Sequence, residues 1–241
     1  RPSDDPYGAV RQMQLENEVD RNNQYLQNIE DSKEWMNTTD TALGQITDSL
    51  QRIRELMISS ANGAKTQSDI DANKAEVLQQ IEQIVQIANT QFDGKYVFSG
   101  KELTEKPFSY QGDGKISLDV AGDGKLDREI SAGVVVDINV PAAEMVKGSG
   151  KAGEGLADTL TNIVAAMSGG DTASLGGDLL NQISDNIDNV VRCRGEIGAK
   201  ENRMDAAKSK NEDETENITV ILSGIEDVDV AQKLMEYSEM Q

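Results

Sequence analysis

The chain has 241 residues, a formal net charge of −20 at pH 7, no histidine and one cysteine, Cys193. The charge disfavours nucleic acid and anionic membranes as partners, because both would repel the chain. The lack of histidine excludes imidazole catalysis, and one cysteine forms neither an intramolecular disulfide nor a thiolate zinc cluster. We therefore expect no cofactor, no metal and no enzymatic activity. No apolar run is long enough to cross a membrane.

The first predicted element is one long helix that begins at Pro6 and ends near Ala61. Asp5 precedes it as a capping residue, and proline suits the first helical position, where no N–H donor is needed. Apolar residues recur every seven positions along it, the spacing of a coiled-coil or long-bundle seam. They are Ile29, Met36, Leu43, Leu50 and Met57, with Ile46 and Ile53 at the second seam position.

A second helix is predicted from Ile70 to Phe92, capped by Ser68 or Asp69 and closed by Gly94. The first two helices would then form an antiparallel hairpin. Aromatic residues make up only 4% of the chain, yet Phe92, Tyr96 and Phe98 lie close together at this point. We expect Phe92 to pack under the end of the hairpin. Tyr96 and Phe98 would begin the first strand of a β-rich segment.

From Lys95 to Pro141 the pattern changes to short β-branched or alternating runs, which predict four or five strands. The sequence "GDGK" occurs at 112–115 and again at 122–125, and each Asp-Gly pair is typical of a hairpin turn. Asp123 and Asp127 could suggest a calcium loop. The closing glutamate of an EF-hand is missing, so a turn is preferred.

The C-terminal part is predicted to be helical again. A glycine-rich segment at 147–155 lacks the spacing of a phosphate-binding loop and is interpreted as a linker. A helix is predicted for Leu156–Met167, and a very long one from Leu175 or Asp178 onward. The seven-residue repeat of the long helix contains Ile183, Val190, Ile197, Met204, Ile218 and Ile225, with Asn211 as its one polar member.

These elements predict an α+β fold that is predominantly α: a rod-like bundle of long antiparallel helices with a small β-rich domain inserted at the far end. The predicted domains are an N-terminal helical hairpin at 1–94, the insert at 95–150, and C-terminal helices at 151–241 that complete the rod. No pattern gathers convergent polar groups into a pocket. Acidic pairs such as Glu226 and Asp229 are interpreted as a solvated face or as contacts to neighbouring subunits.

Three stretches resemble the flagellin superfamily: "RPSDDPYGAV" at 1–10, "GEIGAKENRM" at 195–204 and "SGIEDVDVA" at 223–231. They lie in both helical flanks, and the β-rich segment matches no motif. Within the superfamily, "GKYVFSG" at 94–100 followed by "KPFSY" at 106–110 resembles the hook-associated protein 3 family more than the filament flagellins.

The resemblance implies a structural subunit at the flagellar hook–filament junction, on which flagellin assembles. It further implies export through the flagellar type III channel without a cleaved signal peptide, and hence an extracellular location. The implied partners are the other hook-associated junction protein, flagellin, further copies of the full-length chain, and an export chaperone. The alternatives are a filament flagellin and an adhesin-like binding module formed by the β-rich insert.

By motif match, the resemblance also implies an inter-subunit assembly surface on the long helices. Its positions are Ser3, Asp4, Asp5, Pro6, Ile197, Asn202, Arg203, Ile225, Glu226, Asp227 and Asp229. Arg203 would pair with the acidic residues of a neighbouring subunit, each exposed pair contributing about 0.2–1 kcal/mol. A second set, Phe92, Gly94, Tyr96 and Phe98, is predicted to anchor the β-rich domain at the end of the helical hairpin.

The chain begins at the "PSDDP" stretch and stops soon after "IEDVDVA", so we expect both terminal polymerising segments of the superfamily to be missing. In the superfamily these terminal segments are helices that pair as a coiled coil. A chain that lacks them and carries a charge of −20 should not associate with its copies. We therefore predict a monomer by light scattering at low salt. High-order polymers under that condition would contradict the prediction.

Overall fold

The computed structural model describes residues 6–62, 65–120, 122–147 and 155–239. In this part of the chain the fold is α+β and predominantly α, as the sequence predicts, with three small antiparallel sheets of two strands each. The helices are α1 (Pro6–Ala61), α2 (Gln67–Ala88), α3 (Ala142–Val146), α4 (Leu156–Gly169), α5 (Thr172–Gly176) and α6 (Asp178–Glu239). The strands are β1 (Gln91–Phe92), β2 (Lys95–Tyr96), β3 (Phe108–Gly112), β4 (Lys115–Leu118), β5 (Asp127–Ser131) and β6 (Val134–Asp137).

The seven-residue repeat marks the buried face of both long helices. All seven predicted seam residues of α1, from Ile29 to Met57, have 0% exposure. In α6, Ile183, Val190, Ile197 and Met204 are likewise at 0%, and Ile218 is at 7%. Asn211, the polar member of the repeat, is also fully buried. The predicted seam is confirmed, and Asn211 lies within it.

Helix α2 begins three residues before the predicted start, and its N-cap is Thr66, so the prediction of Ser68 or Asp69 was wrong. The Asp69 N–H donates to Thr66 Oγ1 at 3.3 Å, and the Thr66 N–H donates to the Asp69 carboxylate at 2.9 Å. Asp69 is the third residue of the helix and completes a capping box. The hydrogen bonds that the Thr66 N–H and hydroxyl donate to the Asp69 carboxylate lower the pKa of Asp69.

The helix ends at Ala88, four residues before the predicted end at Phe92. Its C-cap is Asn89, whose Nδ2 donates to the Phe108 carbonyl at 2.9 Å. The Phe108 N–H returns a bond to Asn89 Oδ1 at 3.0 Å. One amide therefore joins the end of α2 to the start of β3, and this long-range contact ends the helix early.

The Asp93-Gly94 pair forms the turn of the β1–β2 hairpin, and the prediction that it closes α2 was wrong. Both residues have positive φ, 50° and 72°. That is the conformation of a two-residue hairpin turn, for which Asp-Gly is a preferred sequence. Tyr96 lies in β2 opposite Gln91, but Phe98 lies beyond the strand, so only part of the predicted "YVF" strand forms.

The β3–β4 hairpin confirms the first "GDGK" turn. Asp113 and Gly114 have φ of 48° and 76°. A Cβ on Gly114 would approach Val164 Cγ2 of α4 to 2.6 Å, so both the backbone and the packing need glycine there. The second "GDGK" was wrongly predicted as a hairpin turn, since it lies in the connection between β4 and β5. The turn between β5 and β6 contains Gly133 instead, with φ of 71°.

The C-terminal helices begin close to the predicted places. α4 buries Leu160, Ile163, Val164 and Met167, the face that the sequence predicts. α6 begins at Asp178, after the short, separate helix α5. Helix α3 and strand β3 were not predicted. Most of the predicted glycine-rich linker, residues 148–154, lies outside the described residues.

The chain divides into two compact units. Unit 1 comprises Arg1–Lys33, Arg128–Val136 and Asn202–Gln241, and so contains the start of α1, most of the β5–β6 hairpin and the later part of α6. Unit 2 comprises Glu34–Asp127 and Asp137–Glu201, with α2, α4 and the other two hairpins. The domain boundaries that the sequence suggests, at residues 94 and 150, stay a prediction.

Asp137 is a charged tether within unit 2. Its Oδ2 accepts a hydrogen bond from Lys200 of α6 at 2.7 Å and lies 3.0 Å from the Lys125 ammonium. Burial alone would raise the pKa of Asp137, but the hydrogen bonds from Lys200 and Lys125 outweigh it and lower the pKa. The carboxylate is therefore held ionised between two cations.

We predict that Asp137 makes the stability of the fold depend on pH in acid. Because its folded-state pKa is depressed, its contribution is complete above the unfolded value of about 3.9 and is lost as the pH falls through the folded value. Asp137→Asn should therefore destabilise the chain at pH 7, and the difference from the native chain should shrink at pH 3. Urea unfolding followed by circular dichroism measures both.

The matched control is Asp185→Asn, which removes an exposed carboxylate from α6, the helix that carries Lys200. It should change the unfolding free energy by less than about 0.5 kcal/mol at either pH. If the cost of Asp137→Asn were the same at pH 3 and pH 7, the charged tether would be rejected.

Candidate assembly surface

The described residues offer little for chemistry on a small molecule. Among them, no group of three or more acidic or cysteine side chains could hold a metal ion. No helix that the structure describes is long and apolar enough to cross a membrane. An apolar cavity lined by Ile84, Phe108 and Leu156 has a volume of only ≈ 10 Å³, far below that of a ligand pocket. The surfaces of the long helices are therefore the candidate binding sites.

The structure separates the predicted assembly residues. Asn202 and Arg203 lie side by side on α6 in unit 1, and both are exposed. Arg203 forms no ion pair with any described side chain, so its guanidinium remains available. Ile197 lies in unit 2 with 0% exposure, which makes it a core residue rather than a contact for a neighbour.

The remaining predicted positions lie at the chain ends. Pro6 opens α1, as predicted, and Ile225 is half-buried in α6. Glu226, Asp227 and Asp229 belong to the helical backbone of α6, but their side chains lie outside the described residues. Ser3, Asp4 and Asp5 also lie outside them. The predicted pairing of Arg203 with this acidic group stays a prediction.

The predicted aromatic anchor lies in unit 2. The Phe92 ring meets the Trp35 ring of α1 edge-on, with ring centroids 6.0 Å apart and planes at 80°. Phe98 is fully buried, and its carbonyl accepts a hydrogen bond from the Ala142 N–H of α3 at 2.8 Å. The Tyr96 N–H donates to the Leu103 carbonyl at 2.9 Å. The segment thus contacts elements before and after it in the chain.

Unit 1 also carries exposed apolar side chains that the sequence analysis missed. On α1 these are Tyr7, Val10 and Met13, which are 78%, 53% and 57% exposed. On α6 they are Val220, Ile221 and Met235, at 67%, 44% and 60%. We call these two sets the outer stripes, because neither lies in the seven-residue register of the buried seam. On α1 the three residues are spaced three apart, and on α6 Ile221 and Met235 are fourteen apart, which keeps them near one helix face.

Because of the outer stripes, the helices of unit 1 carry apolar residues on exposed faces as well as on their buried faces. Helices of soluble proteins normally carry polar residues on the face away from the core. Exposed apolar residues in clusters mark surfaces that partners cover. A signal was present in the sequence: Val10 and Met13 interrupt a polar stretch out of register with Ile29. Their exposure became visible only in the structure, because the predicted seam began at Ile29 and left the start of α1 unassigned.

Comparison with known proteins gives two family matches at the chain's helical flanks. The bacterial flagellin N-terminal helical region matches residues 1–102, and the bacterial flagellin C-terminal helical region matches residues 180–241. Together they include α1, α2 and α6. Most of the strands lie between the two matches.

Individual relatives include both filament and junction proteins. Flagellin of Salmonella muenchen is 31% identical over 163 residues, which are 65% of this chain and 32% of that protein. Flagellar hook-associated protein 3 of Escherichia coli K12 is 24% identical over 248 residues, covering 95% of this chain and 77% of that protein. The chain thus spans about a third of the flagellin's length but about three quarters of the hook-associated protein's.

Solved structures share the fold. A Vibrio parahaemolyticus protein described as a flagellar hook-associated protein superposes with a TM-score of 0.84 at 22% identity, covering 93% of this chain and 100% of its own. FlgL of Bacillus cereus gives 0.72 at 22% identity, with coverages of 87% and 99%. Flagellin of the same organism gives 0.55 at 21% identity, with coverages of 77% and 88%.

We predict that the outer stripes add nothing to the stability of the isolated chain. Because Tyr7 and Met13 are more than half exposed, the double substitution Tyr7→Ser and Met13→Ser should change the unfolding free energy by less than about 0.5 kcal/mol. The control Ile29→Ala removes a fully buried seam residue and should cost about 2–5 kcal/mol. Urea unfolding measures both. A loss for the double variant equal to that of the control would mean that these residues pack in the free chain.

Proposed function

This chain belongs to the flagellin superfamily, and we propose that it is a structural subunit of the bacterial flagellum at the junction between hook and filament. One observation carries the choice of the junction. The segment "GKYVFSG" at 94–100, followed by "KPFSY" at 106–110, resembles hook-associated protein 3 more than the filament flagellins. The fold itself superposes better on FlgL of Bacillus cereus than on that organism's flagellin.

In this role the outer stripes would be the contact surfaces. Burying Tyr7, Val10 and Met13 of α1 against a neighbouring subunit removes apolar area from water, which stabilises association by roughly 25 cal/mol per Å². Arg203, exposed on α6, would add an ion pair at the rim of the contact. The neighbours would be the other hook-associated junction protein, flagellin and further copies of the full-length chain.

We propose no catalytic role for the chain. Cys193, the single thiol, is fully buried in α6. Burial raises the pKa of this thiol, although the nearby Arg192 opposes the effect. A thiol with a raised pKa forms little thiolate at neutral pH, and the thiolate is the nucleophile. Cys193 is best explained as a small apolar residue of the core.

The proposal includes the route to the flagellum. We propose that the chain is exported unfolded through the flagellar type III channel, with an export chaperone, to an extracellular location. The lack of a disulfide supports this, because a cross-linked chain would pass a narrow channel less easily. The isolated chain would be monomeric.

The second candidate is a filament flagellin, and the two flagellin family matches favour it. Deleting the encoding gene separates the two. If the chain is the junction subunit, hooks should be bare in electron micrographs while flagellin accumulates in the culture medium. If it is the filament subunit, hooks should be bare and the medium should contain no flagellin.

Complementation completes this experiment. The native gene should restore filaments. A gene carrying Tyr7→Ser and Met13→Ser should fail to do so although its product is exported. Normal filaments in the deletion strain, with no second copy of the gene present, would contradict both candidates.

A further inference from the structure

The β5–β6 hairpin of unit 1, residues 128–136, has a small apolar contact with the rest of the unit. Of its nine residues only Ile130 and Val136 are buried, at 1% and 4% exposure. Val134 and Val135 are 37% and 53% exposed. Two side chains bury too little apolar area to hold a hairpin in place by themselves. An isolated two-stranded hairpin is marginally stable in water, so something further must fix it.

Two asparagine amides supply that further contact, one from each long helix. Asn28 of α1 donates from Nδ2 to the Glu129 carbonyl at 3.0 Å. Asn211 of α6 donates from Nδ2 to the next carbonyl, that of Ile130, at 2.8 Å. Successive carbonyls of one strand are therefore held by different helices. A further bond joins Tyr25 Oη to the Glu129 carboxylate at 3.4 Å.

Both amides are themselves held in place. Asn28 Oδ1 accepts a hydrogen bond from Gln24 one turn earlier, at 3.2 Å, which directs Nδ2 toward the hairpin. Asn211 has 0% exposure and cannot turn its amide to solvent. Its Oδ1 is buried and has no hydrogen-bond partner in the described part of the chain. A buried polar atom left in that state is costly, so the position carries a penalty that an apolar residue would avoid.

The penalty falls at a seam position where every other member of the repeat is apolar. A single asparagine in an apolar seam commonly specifies one arrangement at the expense of stability. Here the arrangement it specifies is the contact with the Ile130 carbonyl. Without the amide, that carbonyl would lose its partner in α6.

We infer that Asn28 and Asn211 are positioning residues that hold residues 128–136 on the helices of unit 1, so that the hairpin docks and undocks as one strap. Docking is separable from folding, because the strap adds two buried side chains to helices that bury Ile29, Met204 and Ile218 of their own. Undocking would expose Asn211 of α6 and the backbone hydrogen bonds of the β5–β6 hairpin to solvent. The inference does not depend on the proposed function.

Hydrogen exchange of the folded chain, followed by mass spectrometry, tests this. Asn211→Leu keeps the branched shape of the side chain but removes the donor, and Asn28→Ala removes the other donor from a half-buried site. Each should make the amides of residues 128–136 exchange about five- to tenfold faster, since each loses one hydrogen bond of the strap. Exchange in α2 should not change, and the double variant should show the larger effect.

Two exposed asparagines provide matched controls. Asn17 and Asn217 donate from Nδ2 to the carbonyls of Met13 and Asp213, each within its own helix. Asn17→Ala and Asn217→Leu should leave exchange of the strap unchanged. Exchange of the strap in Asn28→Ala and Asn211→Leu that matches these controls would overturn the inference. Equal acceleration in the strap and in α2 would also overturn it, because docking would then not be separable from folding.

Discussion

The apolar repeat of seven residues in α1 and α6 is the constraint on which the rest of the structure depends. It buries one face of each helix over most of its length, from Ile29 to Met57 in α1 and from Ile183 to Ile218 in α6. Both units contain parts of both helices, so each unit has its own share of the seam. Because these faces are buried, hairpins and partners can contact only the other surfaces of the long helices.

Buried and half-buried asparagines join the irregular parts of the chain to the long helices. Asn89 connects α2 to β3, and Asn189 of α6 donates to the carbonyls of Glu144 and Met145 in α3. Asn139 bonds the Leu126 N–H and the Gly124 carbonyl. In each case one amide satisfies backbone groups that no ladder reaches, which is what a buried loop requires. Amides connect the β3–β4 and β5–β6 hairpins to the helices, whereas the β1–β2 hairpin contacts α1 through the Phe92 and Trp35 rings.

The regular part of this fold could be predicted from the sequence, because periodicity is a local signal. The long helices, their seam and the first Asp-Gly turn follow from spacing alone. One error in α2 occurred where a distant contact decides a local choice. Asn89 ends α2 early through Phe108, 19 residues away. The other error is local: Thr66 caps α2, although Ser68 and Asp69 offered the same chemistry nearby.

The candidate site could be predicted less well than the fold. Motif resemblance pointed to the long helices and to Arg203, which is exposed in unit 1. It also selected Ile197, which the seam buries completely. A motif records which positions a family shares, and core positions are shared as readily as contact positions. The outer stripe of α1 was missed because the predicted seam began at Ile29, so the buried face of the first turns was not assigned.

The central claim is that this chain belongs at the hook–filament junction, and its location on the flagellum tests that claim most directly. Antibodies raised against the chain can be bound to isolated flagella and located by immunogold electron microscopy. The account predicts gold confined to the boundary between the curved hook and the filament. Gold distributed along the length of the filament would contradict it and would identify the chain as a filament subunit.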